Sequence, residues 1–268
     1  MAKFSMKSPA KINIFLKVTG TRGSYHEILS RFIRLPNLYD QICFESEICR
    51  ELTIEGNFSC TRENNSIYRA YVALLKRISE PQKVKTFFKN YKIVVDKHIP
   101  ECGGLGGGPS NAATFLRMTN DICRLGLSKD ELASIGSFIG ADVSFFIYDI
   151  ESANVKGIGE VVEEFNDDLP RLNICTPKIN CNTAKVYAHF RQFCYNPDVT
   201  SYDVELADMK SSDILLSLPC KEANDLCEPT LALYPEMENY LKNEWFMSGS
   251  GSTVFCIDNN KTNRCAEI

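Results

Sequence analysis

The sequence predicts a mixed α+β fold in two halves. Strand patterns dominate from Ala10 to about residue 60, and helical and strand patterns alternate after it. An acidic stretch at 160–168 ends at Leu169-Pro170, which marks a boundary between the halves. At 268 residues the chain is long enough for two domains. We therefore expect an N-terminal domain over 1–155 and a C-terminal domain over 156–268, with a cleft between the two halves.

The first predicted strand covers 11–18, where apolar side chains alternate with others. Ile12, Ile14, Leu16 and Val18 share one face, as the two-residue period of a strand requires. Similar patterns predict further strands at 31–35, 41–45, 51–55, 91–95, 155–162, 171–175 and 253–257.

The predicted helices follow from apolar spacing and from capping signals. Apolar residues recur at helical intervals over 66–79. Ser128 and Glu131 form a capping-box pattern that opens another helix, and Gly140 is placed to end it. Further helices are predicted at 184–193, 201–207 and 237–245.

Composition excludes several classes of protein. A net charge of −4 argues against nucleic-acid binding, which usually requires a basic surface. No apolar run approaches the length of a membrane span, and the N-terminal segment lacks the pattern of a secretory signal. None of the twelve cysteines forms a Cys-x-x-Cys pair. We expect a cytoplasmic protein with reduced thiols, most of them small buried apolar residues.

A glycine-rich loop is the strongest local signal. Five of the fifteen glycines fall within 103–108, after a predicted strand and before a helix that Ser110 or Asn111 could cap. Such a loop directs backbone N–H groups and the positive end of the helix at one point, which suits a phosphate. A loop that is only tight or flexible is the alternative.

Three familiar phosphate-binding loops do not match. A Walker A loop needs Lys-Ser/Thr after its last glycine, whereas Pro109 follows Gly108. The dinucleotide pattern, started at Gly104, also fails because its last glycine falls on Pro109. The protein-kinase His-Arg-Asp and Asp-Phe-Gly sequences are absent from the chain.

Two other positions leave alternatives open. Lys11 and Asn13 share the face opposite the apolar one in the first strand. They could neutralise a phosphate and steer a hydroxyl, or they could form the solvent-facing side of an amphipathic strand. Asp142 follows the predicted end of a helix, where a carboxylate could either cap the next element or act in catalysis.

Three motifs in order resemble those of the GHMP kinases, a family of small-molecule kinases. They are residues 8–14 (Ser-Pro-Ala-Lys-Ile-Asn-Ile), the loop at 100–113 and the small-residue loop at 247–252. Shorter segments at 23–27, 140–143, 157–160 and 224–226 resemble a branch of the family that acts on a cytidylyl sugar-alcohol diphosphate. The resemblance runs over residues 7–257, nearly the whole chain.

The resemblance implies a fold and a set of ligands. The family combines an N-terminal domain like ribosomal protein S5 with a C-terminal ferredoxin-like α/β sandwich, and its active site lies in the cleft between them. It implies ATP and the cytidylyl compound as substrates, with Mg²⁺ expected but no protein ligand assigned to it. It implies no nucleic-acid or membrane partner, and a monomer or weak homodimer.

The resemblance also assigns residues on the phosphate side. Asp142 matches the catalytic carboxylate that accepts the proton of the attacking hydroxyl, and Lys11 matches the cation that assists it. The residues that match the ATP-phosphate loop are Pro100, Gly103, Gly104, Leu105, Gly106, Gly107, Gly108, Ser110 and Asn111. Asn65, Ser66 and Lys97 align more loosely with the adenine side.

On the acceptor side, Tyr25 and Tyr187 match aromatic residues that stack on cytosine, and His26 matches a residue that hydrogen-bonds the edge of the base. Asn13 and Thr183 match further substrate contacts. The third loop, which closes on the substrate and phosphate, contributes Gly249, Ser250 and Gly251.

The chain departs from the family pattern at two loop positions. Cys102 stands where the family usually has glycine, so alkylation of this thiol beside the loop is expected to inhibit. Pro109 stands where serine is usual; it removes one N–H contact but is compatible with a helix entrance.

Two other functions remain as alternatives. One is a GHMP kinase acting on homoserine or a mevalonate-type alcohol, although such substrates offer no base to Tyr25 and His26. The other is a non-catalytic ligand sensor on the same fold, although a sensor has no need of both Lys11 and Asp142.

Overall fold

The computed structural model describes residues 3–196, 203–242 and 244–258. They form two compact units with segments that alternate along the chain. Unit 1 contains residues 3–10, 35–101 and 106–150, and unit 2 contains 11–34, 102–105 and the described residues from 151 onward. The predicted division into domains at residue 155 stays a prediction.

Two long strands replace the short ones predicted for the beginning of the chain. Strand β1 covers Lys3–Arg22, and β2 covers Tyr25–Ser46 and pairs with it. The predicted strands at 31–35 and 41–45 are therefore parts of one strand. Polar residues between the two segments interrupt the apolar pattern, but the backbone continues through them as a single strand.

Unit 1 combines part of a sheet with five helices. The end of β2 pairs antiparallel with β4 (Tyr91–Asp96), and β3 (Ile54–Gly56) runs parallel to β4. The helices are α1 (Ser66–Leu75), α2 (Pro81–Phe87), α3 (Gly107–Ile122), α4 (Lys129–Ser137) and α5 (Val143–Tyr148). Helix α3 packs against α1, α4 and α5, which buries its apolar residues and fixes its position.

Two helix boundaries in unit 1 differ from expectation. Helix α3 starts at Gly107, after Gly106 in the left-handed region (φ 70°), so neither Ser110 nor Asn111 caps it. The capping box of Ser128 and Glu131 is confirmed at the start of α4, but that helix ends at Ser137, before Gly140.

Unit 2 contains part of the first sheet and the whole of a second one. The first half of β2 pairs antiparallel with β5 (Ser152–Gly157), and β5 pairs with β6 (Val161–Glu164). A second sheet has the order β7 (Leu172–Cys175), β9 (Val254–Ile257) and β8 (Phe246–Met247), with antiparallel pairs throughout.

The helices of unit 2 are mostly short. They are α6 (Thr183–Phe193), α7 (Asp203–Asp208), α8 (Ser211–Ser217), α9 (Cys220–Ala223) and α10 (Cys227–Leu233). The predicted helix at 201–207 corresponds to α7, although Ser201 and Tyr202 lie outside the described residues. No described helix of either unit is long and apolar enough to cross a membrane.

Two predictions for this part of the chain are wrong. The single strand at 155–162 is two strands, because Gly157 and Gly159 adopt positive φ and turn the chain. The helix at 237–245 is replaced by a 3-10 helix over Pro235–Asn239 and an irregular segment. Its apolar residues still face the core of unit 2, where Met237 is fully buried, so the helical spacing reflected burial alone.

Cysteine burial agrees largely with the sequence. Of the described cysteines, Cys175 is disulfide-bonded, which departs from the expectation of reduced thiols, and the other ten are free. Six of those ten are buried, as expected for small apolar residues.

Candidate active site

Segments far apart in the sequence meet in unit 2. Lys11 N donates to the carbonyl oxygen of Leu105 at 2.9 Å, which joins β1 to the start of the glycine-rich loop. Asn13 N donates to Ser248 Oγ at 3.1 Å, which joins the same strand to the loop after β8. These segments belong to the three family motifs, so the fold brings residues of all three motifs together.

Lys11 and Asn13 are buried, with 4% and 2% of their surfaces exposed. Lys11 Nζ donates to Asn13 Oδ1 at 2.6 Å and lies 4.5 Å from the ring centroid of Phe32. Asn13 Nδ2 in turn donates to Ser30 Oγ at 2.9 Å. The alternative of a solvent-facing strand surface is therefore wrong. Lys11 therefore places a positive charge inside unit 2, beside residues of all three motifs.

The first glycines of the loop are required by close backbone approaches. Gly104 has φ of 74°, and a Cβ there would lie 2.6 Å from the carbonyl oxygen of Ser248. A Cβ on Gly103 would lie 2.8 Å from Thr253 Oγ1, and Thr253 N donates to the Gly103 carbonyl at 3.2 Å. Only residues without a side chain allow this contact between the second and third motifs.

The buried side chain of Asn224 binds the backbone of the third loop. Its Nδ2 donates to the carbonyl oxygens of Met247 and Gly249, at 2.9 and 2.8 Å. Ser250 Oγ lies 2.8 Å from Thr183 Oγ1, so two predicted substrate contacts are hydrogen-bonded to each other. Gly249 and Gly251 have positive φ, a conformation that glycine adopts most readily. Asn224 therefore binds the backbone of a loop whose shape depends on glycine.

In unit 1, the start of α3 has the geometry of an anion site. Gly106 is its N-cap, and Gly107 and Gly108 are its first residues. The first helical hydrogen bond runs from Ser110 N to the Gly106 carbonyl oxygen at 2.9 Å. Pro109 therefore stands at a position whose N–H would have no partner within the helix, which confirms that it is tolerated at the helix entrance.

A buried carboxylate that the sequence did not reveal anchors this region. Asp40 is fully buried, and its Oδ1 accepts from the backbone N–H groups of His98 and Ile99 at 2.8 and 2.9 Å. Its Oδ2 accepts from Asn111 Nδ2 at 2.9 Å and from Lys97 Nζ. Two of the predicted nucleotide-side residues are thus tied to one carboxylate. Asp40 belongs to no recognised motif, so the sequence alone did not mark it as a candidate site residue.

Ser8 adds a second anchor to the start of α3. Its Oγ donates to Ser110 Oγ at 2.8 Å and accepts from Asn111 Nδ2 at 2.9 Å. All three residues are buried. The side chains of Ser110 and Asn111 therefore fix the helix start, while the N–H groups of Gly107 and Gly108 lie in its first turn, where they have no partner within the helix.

The remaining nucleotide-side residues lie in the same unit or at the loop. Asn65 caps α1, where its Oδ1 accepts from Ile67 N at 2.9 Å. Ser66 is the first residue of α1, and its Oγ lies 3.7 Å from the position of a Cβ on Gly108. Pro100 is exposed and Leu105 is buried.

Asp142 precedes α5 and is half-buried. Its backbone occupies the N-cap position, but its side chain makes no capping hydrogen bond. The capping role suggested as an alternative is therefore not the role of this carboxylate. Asp142 belongs to unit 1, whereas Lys11 belongs to unit 2.

The predicted base-binding residues cluster in unit 2. His26 stacks on Tyr187 with ring centroids 5.1 Å apart, and Tyr25 has 64% of its surface exposed. Arg191, on α6, was not predicted; its Nε donates to His26 Nε2 at 3.3 Å. The Nη2 of Arg191 also donates to the carbonyl oxygens of Gly23 and Tyr25. This arginine links the aromatic cluster to the turn between β1 and β2.

The electrostatic surroundings favour a neutral His26. Burial lowers the pKa of this imidazole, and the positive charge of Arg191 lowers it further. Because a guanidinium can only donate, His26 Nε2 must accept, and the ring proton lies on Nδ1. His26 therefore presents a hydrogen-bond donor, which suits the acceptor atoms N3 and O2 of a cytosine ring.

Comparison with known proteins identifies close relatives. The GHMP kinases N terminal domain matches residues 65–149. A Sulfurimonas denitrificans protein named 4-diphosphocytidyl-2-C-methyl-D-erythritol kinase is 50% identical over 252 residues, 92% of this chain and 94% of that protein. Proteins of the same name from Sulfurovum sp. and Campylobacter jejuni are 42% and 40% identical, covering 95% and 94% of this chain and 99% and 100% of their own lengths.

Solved structures share the fold of this chain. The crystal structure of 4-(cytidine 5'-diphospho)-2C-methyl-D-erythritol kinase matches with a TM-score of 0.71 and 26% identity, over 95% of this chain and 90% of that one. A mevalonate kinase structure matches with a TM-score of 0.65 at 14% identity, over 96% and 92% of the two chains, which shows a shared fold alone.

Proposed function

Because the chain belongs to the 4-diphosphocytidyl-2-C-methyl-D-erythritol kinase family of GHMP kinases, we propose that it phosphorylates the compound for which that family is named. The protein is an ATP-dependent small-molecule kinase. The acceptor is the 2-hydroxyl of 4-diphosphocytidyl-2-C-methyl-D-erythritol, in the non-mevalonate pathway to isoprenoid precursors. The observation that carries the proposal is the junction of the three motif segments around buried Lys11 and Asn13.

We assign the proton transfer to Asp142. Its carboxylate accepts the proton of the 2-hydroxyl as the hydroxyl oxygen forms its bond to the γ-phosphorus, and the bond from that phosphorus to the bridging oxygen of ADP breaks. We assign to Lys11 the positive charge that stabilises the developing alkoxide. The absence of a side-chain capping bond at Asp142 supports a role other than capping.

The start of α3 is the proposed phosphate site. The N–H groups of Gly107 and Gly108 and the positive end of the helix direct partial positive charge at an anion. Ser110 and Asn111 keep this end in place through Ser8 and Asp40. Their hydrogen bonds support a positioning role for these two side chains, beside the backbone contacts proposed for the glycines.

Mg²⁺ is the metal ion that we propose for the reaction, where it would neutralise phosphate charge. Among the described residues, no cluster of three or more His, Cys, Asp or Glu side chains could hold a metal ion. Mg²⁺ commonly needs only one or two carboxylates beside substrate phosphates and water. An ion that enters with the nucleotide would need few protein ligands, and we assign none to it.

The aromatic cluster is the proposed site for cytosine. Tyr25 offers an exposed ring for stacking, and His26 offers its Nδ1–H to an acceptor of the base. Tyr187 supports His26 by stacking. Thr183 and Ser250 are proposed to contact the acceptor through the hydroxyl groups that now bond each other.

Two further assignments accompany the proposal. We assign the nucleotide loop to an N-terminal domain over 1–155 and the third loop to a C-terminal domain over 156–268. We also propose a cytoplasmic monomer or weak homodimer without nucleic-acid partners, the last supported by the net charge of −4.

The experiment that tests the function identifies the product. The protein is incubated with ATP, Mg²⁺ and the cytidylyl substrate, and the products are followed by ³¹P NMR. The proposal requires ADP and a new phosphomonoester signal coupled to the carbon that bears the 2-hydroxyl. ADP with inorganic phosphate, or a phosphomonoester at another hydroxyl, would refute it.

A further inference from the structure

Two free thiols contact each other at either end of the segment that binds the third loop. Cys220 opens α9 and Cys227 opens α10, and their sulfur atoms lie 3.4 Å apart. The segment between them contains Asn224, so the chain folds back and brings the starts of two short helices together. Neither thiol has a part in the chemistry proposed above.

The pair is connected to the third loop at two points. The backbone N–H of Met247 contributes to lowering the pKa of Cys220. Asn224, midway between the cysteines, donates to the carbonyl oxygens of Met247 and Gly249. A change in the distance between the two sulfur atoms therefore acts on the backbone of the loop directly.

The pair is accessible to small molecules. Cys220 is half-buried, whereas Cys227 has only 1% of its surface exposed. Both line a pocket of about 600 Å³, together with Pro219, Lys221 and Trp245. Because Cys220 is the more exposed of the two residues, we expect a small oxidant in this pocket to react with Cys220 first.

The surroundings of the two sulfurs differ in a way that orders their reactions. Contact with the Cys227 thiol lowers the pKa of Cys220, and the Met247 N–H and the Lys221 charge lower it further, against the effect of burial. Contact with Cys220, together with burial, raises the pKa of Cys227. Cys220, the more exposed of the two residues, is thus also the one whose lowered pKa favours the thiolate.

We propose that Cys220 and Cys227 are a redox modification site at which a hydroperoxide converts the two thiols into a reversible disulfide. Cys220 thiolate attacks one peroxide oxygen; the O–O bond breaks, and an alcohol or water leaves after taking up a proton. Cys227 then attacks the sulfenic sulfur, its proton leaves with the hydroxyl group as water, and the S–S bond forms. The thiols are oxidised by two electrons and the peroxide is reduced by two.

Oxidation is expected to disturb the conformation of the third loop. Formation of the bond draws the sulfur of Cys220 toward Cys227 and away from Met247 N–H, and it moves the segment that holds Asn224. The loss of kinase activity that follows rests on the proposed function of this loop. The chemical part, formation of the disulfide, does not.

Trypsin offers a direct test, because it cleaves after Lys221, between the cysteines. Cys220 then lies on peptide 211–221 and Cys227 on peptide 222–242. The full-length protein is treated with hydrogen peroxide, blocked with an alkylating reagent and digested. We expect a mass equal to both peptides less two hydrogen atoms, which disappears after treatment with a reductant. The absence of this species, or oxidation of Cys220 to a sulfinic acid without it, would overturn the proposal.

Variants separate the two steps and control for exposure. Cys227→Ser should leave a sulfenic acid on Cys220 that a 1,3-dione reagent labels, whereas Cys220→Ser should abolish both label and cross-link. Cys60→Ser removes an exposed thiol elsewhere and should leave the cross-link unchanged. If Cys227→Ser does not fold, the wild-type peptide masses still decide the question.

Kinase activity measured beside the masses distinguishes the two claims. The activity should fall in proportion to the cross-linked fraction and return on reduction. A cross-link that leaves activity unchanged would overturn the link to the third loop. A protein that has no activity before oxidation would refute the proposed function instead, and the masses would still report on the disulfide.

Discussion

Arg191 Nε donates to His26 Nε2 across 3.3 Å, which determines where the proton of this imidazole resides. The guanidinium occupies the acceptor nitrogen, so Nδ1 carries the proton and becomes the donor. His26 also stacks on Tyr187, which fixes the plane of its ring. Arg191 is thus a positioning residue for the proposed base site, one step removed from the substrate.

Replacement of Arg191 should affect one substrate only. Arg191→Ala removes the bond to His26 and leaves the imidazole free to change tautomer. We expect the KM for the cytidylyl substrate to rise about tenfold, equivalent to about 1.4 kcal/mol, with kcat and the KM for ATP nearly unchanged. Steady-state kinetics measure these values. Gln192→Ala, at the next and also exposed position of α6, is the matched control; equal changes in both KM values for Arg191→Ala would contradict the assignment.

The pH dependence of substrate binding should reflect a neutral His26. Its pKa is lowered from 6.5 by burial and by Arg191, so the ring stays neutral as the pH falls past 6.5. The KM for the cytidylyl substrate should therefore be constant through pH 6.5 and should rise only at lower pH. In Arg191→Ala one of the two causes is removed, so the midpoint should move upward toward 6.5. A wild-type midpoint above 6.5 would contradict a lowered pKa.

Two glycines of one loop should respond oppositely to alanine. Gly104→Ala places a Cβ 2.6 Å from the Ser248 carbonyl at a positive φ and should lower the free energy of unfolding by about 3 kcal/mol. In Gly108→Ala the Cβ meets only Ser66 at 3.7 Å or more, and stability should stay constant or rise by up to about 1 kcal/mol. Thermal unfolding of the two variants measures the difference. Equal losses would mean that the contact between the second and third motifs does not hold Gly104 in place.

Removal of the proposed base should affect turnover and spare nucleotide binding. Asp142→Asn keeps the size of the side chain but cannot accept the proton, so kcat should fall about 10³-fold. The Kd for ATP, measured by calorimetry, should change little. Asp121→Asn, an exposed position in α3, is the matched control and should retain normal turnover. Near-normal turnover of Asp142→Asn would exclude it as the base.

The parts of the fold that local patterns determine were predictable. The alternation at Ile12, Ile14 and Leu16 gave β1, and the capping box at Ser128 gave the start of α4. Helix α6 was also predicted within one residue of its bounds at Thr183 and Phe193.

Features that depend on contacts between distant segments were not predictable from local pattern. Burial of Lys11 arises because the loops at 103–105 and 247–253 cover a face of β1 that the alternation alone leaves polar. Asp40 and Arg191 lie at positions without motif or periodicity, and only the folded chain brings them to Asn111 and His26. The motifs predicted the candidate site, whereas Asp40 and Arg191 were found only in the structure.

The substrate preference of the wild-type enzyme tests the proposed function most directly. ADP release is coupled to a dehydrogenase reaction, and kcat/KM is measured with the cytidylyl substrate, homoserine and mevalonate under identical conditions. A base site formed by Tyr25 and His26 predicts efficient turnover of the cytidylyl substrate and kcat/KM values for the other two that are lower by a factor of about 10³ or more. Comparable or faster turnover of homoserine or mevalonate would contradict the assignment.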